Sequence, residues 1–210
     1  MTRTIAIFMV ACLLALAPPA MAKQTAEPIT ISVLEAAQML ASQPKEVFLV
    51  DVRTRPEYAL LGHPPQAYNV PWRLATSDFQ IKGGPYQGNN ATYTGYQLSP
   101  KPNPDFIGVV KSLFKPGDKL LILSTNGEQG TQAAAALSKA GFTQVFNLEH
   151  GFLGQPLLVE KQAELAEKYS PLYGIQGRLN GWVFWGLPVT HQMDPRYIYP
   201  PDTKRMQTQK

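Results

Sequence analysis

The feature that most restricts the fold of this chain is a strand that runs through a glycine-bearing loop into an alanine-rich helix. The segment is LLILSTNGEQGTQAAAALSKAGF, residues 120–142. Its apolar start predicts a buried strand ending near Ser124, and the stretch from Thr131 to Gly141 predicts a helix. In open α/β sheets, ligands bind beyond the carboxyl ends of the strands. The segment therefore predicts an α/β domain with a site in the loop that begins at Ser124.

Predicted strands and helices alternate on both sides of this segment. The strand-like runs are ITI, EVFLVDV and TQVFNL, and the helix-like runs are SVLEAAQML, PDFIGVVKSLF and PLLVEKQAELAEKY. Alternation of this kind is typical of a mainly parallel sheet covered by helices. The run EVFLVDV is closed by Asp51. The pattern therefore places Asp51 at the same edge of the sheet as Ser124.

Residues 1–22 have the composition of a signal peptide rather than of a folded element. Arg3 precedes the apolar run IAIFMVACLLALA, and the small-residue sequence AMA precedes Lys23. The run is shorter than the roughly 20 apolar residues that span a bilayer. We therefore expect cleavage after Ala22 and export to the periplasm or the extracellular space, with no transmembrane segment left. Cys12 lies in MVAC, which loosely resembles a lipoprotein cleavage box, so lipidation there is the alternative.

Cysteine and histidine usage limits the chemistry of the exported chain. The single cysteine, Cys12, lies inside the predicted signal peptide. Cleavage would leave no cysteine, which excludes disulfides, a thiolate nucleophile and cysteine-ligated metals. The histidines, His63, His150 and His191, show no metal-ligand spacing. We therefore expect neither a metal nor another cofactor.

The charge pattern argues against a nucleic-acid partner. The formal net charge is +4, and it falls to +3 without residues 1–22, because Arg3 is their only charged residue. No cluster of lysines and arginines is interleaved with aromatic residues, as a nucleic-acid interface would require. Several basic residues stand instead in DTKRMQTQK at the carboxyl end. A net positive charge of this size is typical of an ordinary solvated protein surface.

Residues 74–104 interrupt the alternation with a long stretch of glycine, asparagine, proline and tyrosine. Compact domains seldom contain a structureless connection of this length without a functional reason. Its tyrosines, which include Tyr86 and Tyr93, fit either a contact surface or a core role, and both interpretations remain open. Near the carboxyl end, we expect Trp182 and Trp185 to pack the closing segment onto the core.

Three spaced motifs resemble the rhodanese domain family. FLVDVRTRPEYALLGHPPQAYNVP resembles the opening motif, in which a strand ends in Asp-x-Arg and Glu-Tyr, Gly-His and Ala-x-Asn-x-Pro follow. LLILSTNGEQGTQAAAALSKAGFTQVFNLEHG resembles the second half, and NGWVFWGLPV resembles the closing Gly-Trp and Gly-Leu-Pro-Val. The positions that carry the opening motif are Asp51, Arg53, Glu57, Tyr58, Gly62, His63, Ala67, Asn69 and Pro71. The resemblance covers roughly residues 29–190.

The resemblance implies a rhodanese-like three-layer α/β domain, with a mainly parallel central sheet between helices. The domain would occupy residues 23–190, followed by a tail at 191–210. Two segments have no counterpart in the family pattern and are interpreted as insertions, at about 74–104 and about 155–178. The second insertion contains the whole of the predicted helix PLLVEKQAELAEKY.

Rhodaneses carry sulfur as a persulfide on a loop cysteine, and the resemblance places Ser124 at the position of that cysteine. The candidate loop residues are Ser124, Thr125, Asn126, Gly127, Glu128, Gln129, Gly130 and Thr131. A serine hydroxyl is hardly ionised at neutral pH and forms no persulfide, so the resemblance implies a domain without sulfurtransferase activity. The related phosphatase chemistry needs cysteine and arginine at the two ends of the loop, where this chain has Ser124 and Gly130.

Other uses of the loop remain open. Backbone N–H groups near Gly127 and Gly130, together with the helix N-terminus, could bind a small anion. The Glu128 carboxylate would repel that anion unless it points outward. A serine nucleophile needs an adjacent base, and the sequence has no Gly-x-Ser-x-Gly elbow, so we do not expect a hydrolase. The remaining interpretation is a plain strand-to-helix turn.

The sequence therefore predicts an exported rhodanese-like binding or scaffolding module without catalytic residues. We expect a protein partner to bind through residues 74–104 or 155–178. The alternative is a sulfurtransferase-related enzyme that handles compounds such as thiosulfate with a thiol supplied by a partner. Activity that survives the substitution Ser124→Ala would favour this alternative.

Overall fold

The computed structural model describes residues 28–76, 97–156 and 178–199. The strands are β1 (Ile29–Ile31), β2 (Val47–Asp51), β3 (Tyr68–Asn69), β4 (Ala75–Thr76), β5 (Gln97–Leu98), β6 (Lys119–Leu123), β7 (Gln144–Leu148), β8 (Gln155–Pro156) and β9 (Arg178–Leu179). The helices are α1 (Val33–Ser42), α2 (Arg55–Leu60), α3 (Phe106–Leu113) and α4 (Glu128–Lys139), followed by a short 3-10 helix (Pro195–Tyr197). The main sheet has the strand order β1-β7-β6-β2-β3, and each neighbouring pair is parallel. The predicted parallel α/β architecture is confirmed.

Apolar side chains cover both faces of the main sheet, which gives the domain three layers. Successive residues of a strand point to opposite faces, so the neighbours Leu121 and Ile122 of β6 belong to different core clusters. Leu121 shares its cluster with Ala36 of α1. Ile122 shares the other cluster with Leu137 of α4. The helices on each face therefore fix the sheet, and the strand ends meet at one edge.

Polar side chains set the residues at which α1 and α2 begin. Ser32 Oγ accepts a hydrogen bond from the Glu35 N–H at 3.1 Å. At α2, Thr54 Oγ1 accepts from the Glu57 N–H (3.4 Å) and the Glu57 carboxylate accepts from the Thr54 N–H (3.1 Å). This reciprocal pair is a capping box, which satisfies two N–H groups that a helix start leaves without partners. It holds the Glu57 side chain at the amino end of α2.

Helix α4 begins earlier than the sequence predicted. It starts at Glu128 and not at Thr131, because Gly127 caps it from the left-handed conformation (φ 95°). A glycine reaches this conformation without the steric cost that other residues incur. The Thr131 N–H donates to the Gly127 carbonyl at 3.0 Å, which completes the first turn. Glu128, Gln129 and Gly130 are therefore helical residues and not loop residues.

Of the two tryptophans expected in the core, one is exposed. Trp182 is buried, and its Nε1–H donates to the Pro188 carbonyl at 3.0 Å. Trp185 is 46% exposed and meets the Phe184 ring edge-on, with 5.1 Å between the ring centroids. Both tryptophans lie in one turn, residues 182–186, in which the first is buried and the second is exposed. The prediction for Trp185 was wrong.

Both predicted insertions leave and re-enter the domain through short antiparallel strand pairs. β4 pairs with β5 at the ends of the first insertion, and β8 pairs with β9 at the ends of the second. The segments between, 77–96 and 157–177, lie outside the described residues, together with their tyrosines and most of the predicted helix PLLVEKQAELAEKY. The predicted signal peptide also lies outside them. Within the three described ranges, no helix is long and apolar enough to cross a membrane.

Candidate functional site

The Ser124 loop, a name kept here for the loop residues 124–127 together with the first turn of α4 (128–131), lies at the carboxyl end of β6. The Ser124 side chain is buried (1% exposed), and its Oγ accepts a hydrogen bond from the Gly127 N–H at 2.9 Å. This hydrogen bond closes the start of the loop. Asp51, the last residue of β2, pairs in register with Leu123. The fold therefore brings Asp51 and Ser124 to the same edge of the sheet.

The turn after β7 packs tightly against this loop. The Phe152 N–H donates to the Ser124 carbonyl at 2.7 Å. Gly151 (φ 59°) lies so close that a Cβ atom there would overlap the Ser124 carbonyl oxygen. A Cβ atom on Gly127 would likewise overlap the Glu149 carbonyl oxygen. The two glycines therefore allow the backbone of the loop and the backbone of the turn to touch.

Asn147 of β7 places a buried polar side chain against the loop. Its Nδ2–H donates to Thr131 Oγ1 (3.0 Å), and that hydroxyl donates to the Gly127 carbonyl (3.2 Å). Asn147 Oδ1 is buried and has no hydrogen-bond partner among the described residues. A Cβ atom on Gly130 would overlap this oxygen and lie 3.2 Å from Ser124 Oγ. Asn147 is not among the site residues predicted from the sequence, although a polar residue inside a mostly apolar strand could have indicated it.

Glu57 connects helix α2 to the loop. Its Oε1 accepts a hydrogen bond from Thr125 Oγ1 at 2.7 Å. Its Oε2 accepts from Thr54 Oγ1 at 2.6 Å and also takes part in the capping box. The carboxylate is half-buried and adds a negative charge beside the loop. The sequence identified Glu57 only as a family position, and the structure shows its contact with Thr125.

Asp51 and Arg53 form a buried ion pair next to the turn that packs against the loop. Both side chains are 0% exposed, and Arg53 Nη2 donates to Asp51 Oδ2 at 2.6 Å. The same nitrogen donates to the Gly62 carbonyl at 2.9 Å. The guanidinium carbon lies 3.8 Å from the centroid of the Phe152 ring. Since the Phe152 N–H binds the Ser124 carbonyl, the ion pair positions the loop indirectly.

Asn69 and His63, the other family positions, fix the segments around α2. Asn69 Nδ2–H donates to the carbonyls of Asp51 (3.1 Å) and Arg53 (3.0 Å). The His63 ring stacks on Tyr58 with 3.5 Å between centroids, and its Nδ1 lies 2.9 Å from the Tyr58 carbonyl oxygen. Burial lowers the pKa of His63 below its ordinary value of 6.5. Both side chains hold the backbone and do not hydrogen-bond to the Ser124 loop.

The described hydrogen bond of the Ser124 hydroxyl is the one that it accepts from the Gly127 N–H. Within the described ranges, its hydrogen-bond partners include no histidine and no carboxylate, and a serine nucleophile requires such a base. The loop carries no lysine or arginine. Glu128 is exposed, and its N–H donates to Asn126 Oδ1 at 3.3 Å. The same ranges contain no cluster of three or more histidine, cysteine, aspartate or glutamate side chains that could hold a metal ion.

Comparison with curated proteins gives relatives that match part of this chain. Senescence-associated protein DIN1 of Raphanus sativus is 30% identical over 104 residues, which are 50% of this chain and 45% of that protein. Rhodanese-like domain-containing protein 15, chloroplastic, of Arabidopsis thaliana is 28% identical over 104 residues, which are 50% of this chain and 46% of that protein. The chain thus spans about half the length of these curated relatives.

The fold has a counterpart among solved structures. The crystal structure of Rv0390 from M. tuberculosis gives a TM-score of 0.52 at 20% identity, covering 80% of this chain and 100% of that chain. Structural similarity at this low sequence identity is evidence for a shared fold alone. The family model for the rhodanese-like domain matches residues 32–154, a range that includes β2, β6, β7 and the whole Ser124 loop. The chain belongs to the rhodanese-like domain family.

Proposed function

We propose that this rhodanese-like domain binds a partner and does not transfer sulfur. The observation that carries the proposal is the side chain at the start of the loop. Ser124 presents a buried hydroxyl, hydrogen-bonded to the Gly127 N–H at 2.9 Å. The nucleophile in persulfide chemistry is a thiolate, whose pKa a loop and a helix N-terminus can depress. A hydroxyl in the same place leaves the loop without that nucleophile.

The charges near the loop support the proposal. Sulfur donors such as thiosulfate are anions, and an anion is repelled by like charges at its binding site. The Glu57 carboxylate hydrogen-bonds to Thr125 at 2.7 Å, and Glu128 lies in the first turn of α4. The loop contributes no cationic side chain to balance them. Binding of a small anion is therefore a weaker candidate, which depends on backbone N–H groups of the loop and on the N-terminus of α4.

A partner surface is proposed at the two insertions, 74–104 and 155–178. The short pairs β4–β5 and β8–β9 close the base of each insertion, so either one can vary without disturbing the main sheet. Connections that extend from a rigid scaffold carry binding functions more often than the elements they join. Deletion of one insertion, with its strand pair retained, should abolish binding of the partner that uses it.

We expect the substitution Ser124→Cys to create thiosulfate-to-cyanide sulfur transfer that the unmodified protein lacks. The thiol would replace a hydroxyl that already accepts from the Gly127 N–H. The rate should rise by about 100-fold or more over the unmodified protein. Both proteins should carry Cys12→Ser, so that position 124 holds the only thiol. The assay follows thiocyanate formation under identical conditions.

The controls separate this proposal from the enzyme alternative. Ser124→Ala should behave like the unmodified protein, with no transfer above the uncatalysed rate. Transfer by the unmodified protein that survives Ser124→Ala would contradict the proposal and indicate a catalytic group elsewhere. Transfer that is lost in Ser124→Ala would contradict it as well, because the hydroxyl would then take part in the reaction.

We further propose that the chain acts outside the cytoplasm, in the periplasm or the extracellular space. The support is the apolar run before the small-residue sequence Ala-Met-Ala that ends at Ala22. Expressed with its full N-terminus in a bacterium, the secreted protein should begin at Lys23, as measured by intact mass. The double substitution Ala20→Lys, Ala22→Lys should block this cleavage. A lipid-modified species beginning at Cys12 would contradict cleavage after Ala22 and support lipidation.

A further inference from the structure

A cleft lies beside the amino-terminal half of β2, away from the Ser124 loop. One part, of about 270 Å³, is lined by mostly apolar side chains that include Leu40 and Phe48. The adjoining part, of about 340 Å³, is lined by a larger number of polar and charged side chains, which include Asp194 and Arg196. Tyr197 lines both parts. Ligand sites in proteins occupy roughly 300–1,000 Å³, so the two parts together have a sufficient volume.

Within residues 28–76, 97–156 and 178–199, no strand pairs with the outer edge of β2 where it borders the first part of the cleft. The Val52 N–H donates to the Leu123 carbonyl at 2.8 Å, so alternate residues of β2 direct their backbone groups to β6. By this alternation, Val47 and Leu49 direct their backbone groups away from β6, toward the outer edge of the sheet. β3 pairs with β2 only from Val50 onward. Among the described residues, no hydrogen bond reaches the Val47 carbonyl or the Leu49 N–H.

The chain turns away from β2 immediately before β3. Gln66 has φ 62°, a left-handed conformation that is uncommon for a residue other than glycine. The next residue is held in place because the Tyr58 hydroxyl donates to the Ala67 carbonyl at 2.9 Å. Backbone strain of this kind persists where the surrounding structure enforces it, often at ligand-binding sites. As far as the described residues show, the turn at Gln66 keeps the cleft open beside residues 47–49.

We propose that the cleft binds an extended peptide segment of a partner protein, which adds to the outer edge of β2 opposite Phe48. One residue of a parallel segment would donate its N–H to the Val47 carbonyl and accept from the Leu49 N–H, as in any parallel ladder. An apolar side chain of the segment would pack near Leu40. The inference rests on the proposed function, a binding module, and places a peptide site outside both insertions.

The charges of the cleft indicate an uncharged segment. Among the residues that line its two parts, the aspartate and arginine side chains are Asp194 and Arg196, and no lysine or glutamate joins them. These two are paired with each other, with 2.6 Å between Nη2 and Oδ2. A lysine or glutamate of the partner would therefore find no free counter-charge, whereas a neutral backbone would find a donor and an acceptor. Residues such as valine, threonine or tyrosine in the segment meet this requirement.

The first test needs only the free protein. We expect the Leu49 amide to exchange its hydrogen about 100-fold faster than the Phe48 and Val50 amides, which belong to the ladder with β6. Amide exchange followed by NMR on ¹⁵N-labelled protein measures the three rates in one sample. Equal protection of the three amides would overturn the inference, because the edge would then already be paired.

The second test uses acetylated, amidated pentapeptides Thr-Val-X-Val-Thr, with X as valine, leucine, phenylalanine or tyrosine. At concentrations up to about 5 mM, at least one should give saturable shifts at the Leu49 and Val47 amides and slow the Leu49 exchange about tenfold. The matched control replaces X by N-methyl-valine, which removes the N–H that the Val47 carbonyl requires. It should bind at least about tenfold more weakly.

A pair of protein variants locates the site. Pro44→Asp places a charge on the lining of the apolar part, whereas Ala41→Asp places the same charge on an exposed residue that does not line the cleft. Pro44→Asp should weaken the peptide about tenfold and Ala41→Asp should not. Shifts confined to other surfaces, or no saturable shift with any peptide, would overturn the inference. Neither result bears on the absence of sulfur transfer, which the thiocyanate assay measures separately.

Discussion

Replacing Arg53 by methionine should lower the free energy of unfolding by about 3–5 kcal/mol. The substitution keeps an apolar side chain of similar length but leaves Asp51 as a buried, unpaired carboxylate. In the native domain both side chains are 0% exposed, and two guanidinium nitrogens, Nε and Nη2, bind the carboxylate. Removing one member of a buried pair is costly because the remaining charge loses its counter-charge without regaining water. Urea unfolding followed by circular dichroism measures the loss.

The chain contains a matched control for this prediction. Arg196 binds Asp194 through the same nitrogens and at the same spacing of two residues, but its side chain is 79% exposed. Arg196→Met should leave the unfolding midpoint nearly unchanged, because Arg196 is mostly exposed and the Asp194 carboxylate keeps contact with water. Equal losses in the two variants would contradict the account, since burial would then not decide the cost. A small loss for Arg53→Met would mean that Asp51 finds another partner or water.

Gly127→Ala should destabilise the domain by about 3 kcal/mol, the second large effect. Two costs add here. Gly127 has φ 95°, which disfavours any residue with a Cβ atom, and that atom would overlap the Glu149 carbonyl oxygen. The loop or the turn after β7 would have to move, and the hydrogen bond from the Gly127 N–H to Ser124 would weaken. Thermal and urea unfolding measure the loss.

Gly141 separates the two costs. It has φ 105°, close to that of Gly127, but a Cβ atom there would meet nothing within 4 Å. Gly141→Ala should therefore cost only the backbone term, about 1 kcal/mol. The difference between the two variants reports the contact between the loop and the turn. If Gly127→Ala cost no more than Gly141→Ala, the close approach at Glu149 would not exist in solution.

The main sheet was predictable from the sequence because its strands are short apolar runs with clear ends. EVFLVDV and the apolar start of the segment 120–142 became β2 and β6, and their ends placed Asp51 and Ser124 at one edge. The start of α4 was not predictable in the same way. The apolar pattern of that helix begins at Ala133, so the pattern does not report the polar first turn at Glu128. A left-handed glycine cap depends on the close approach of another segment, which local sequence does not encode.

The other features that could not be predicted depend on contacts between segments that are distant in the sequence. Glu57 and Thr125 are 68 positions apart, and only the fold brings the carboxylate to the loop at 2.7 Å. Asn147 enters the site because β7 lies beside β6. Trp182 and Trp185 lie in one turn. The pattern of apolar residues predicts burial equally for both, so it could not indicate that Trp185 is exposed. Which of them packs inward is decided by the shape of the core.

The most direct test of the central claim is the intact mass of the protein after incubation with thiosulfate. The protein should carry Cys12→Ser, since Cys12 is its only cysteine. The account predicts that the unmodified loop leaves the mass unchanged, whereas the Ser124→Cys variant gains the mass of one sulfur atom as a persulfide. A gain of one sulfur atom by the protein with Ser124 in place would contradict the account, because the chain would then carry sulfur on a group other than a thiol.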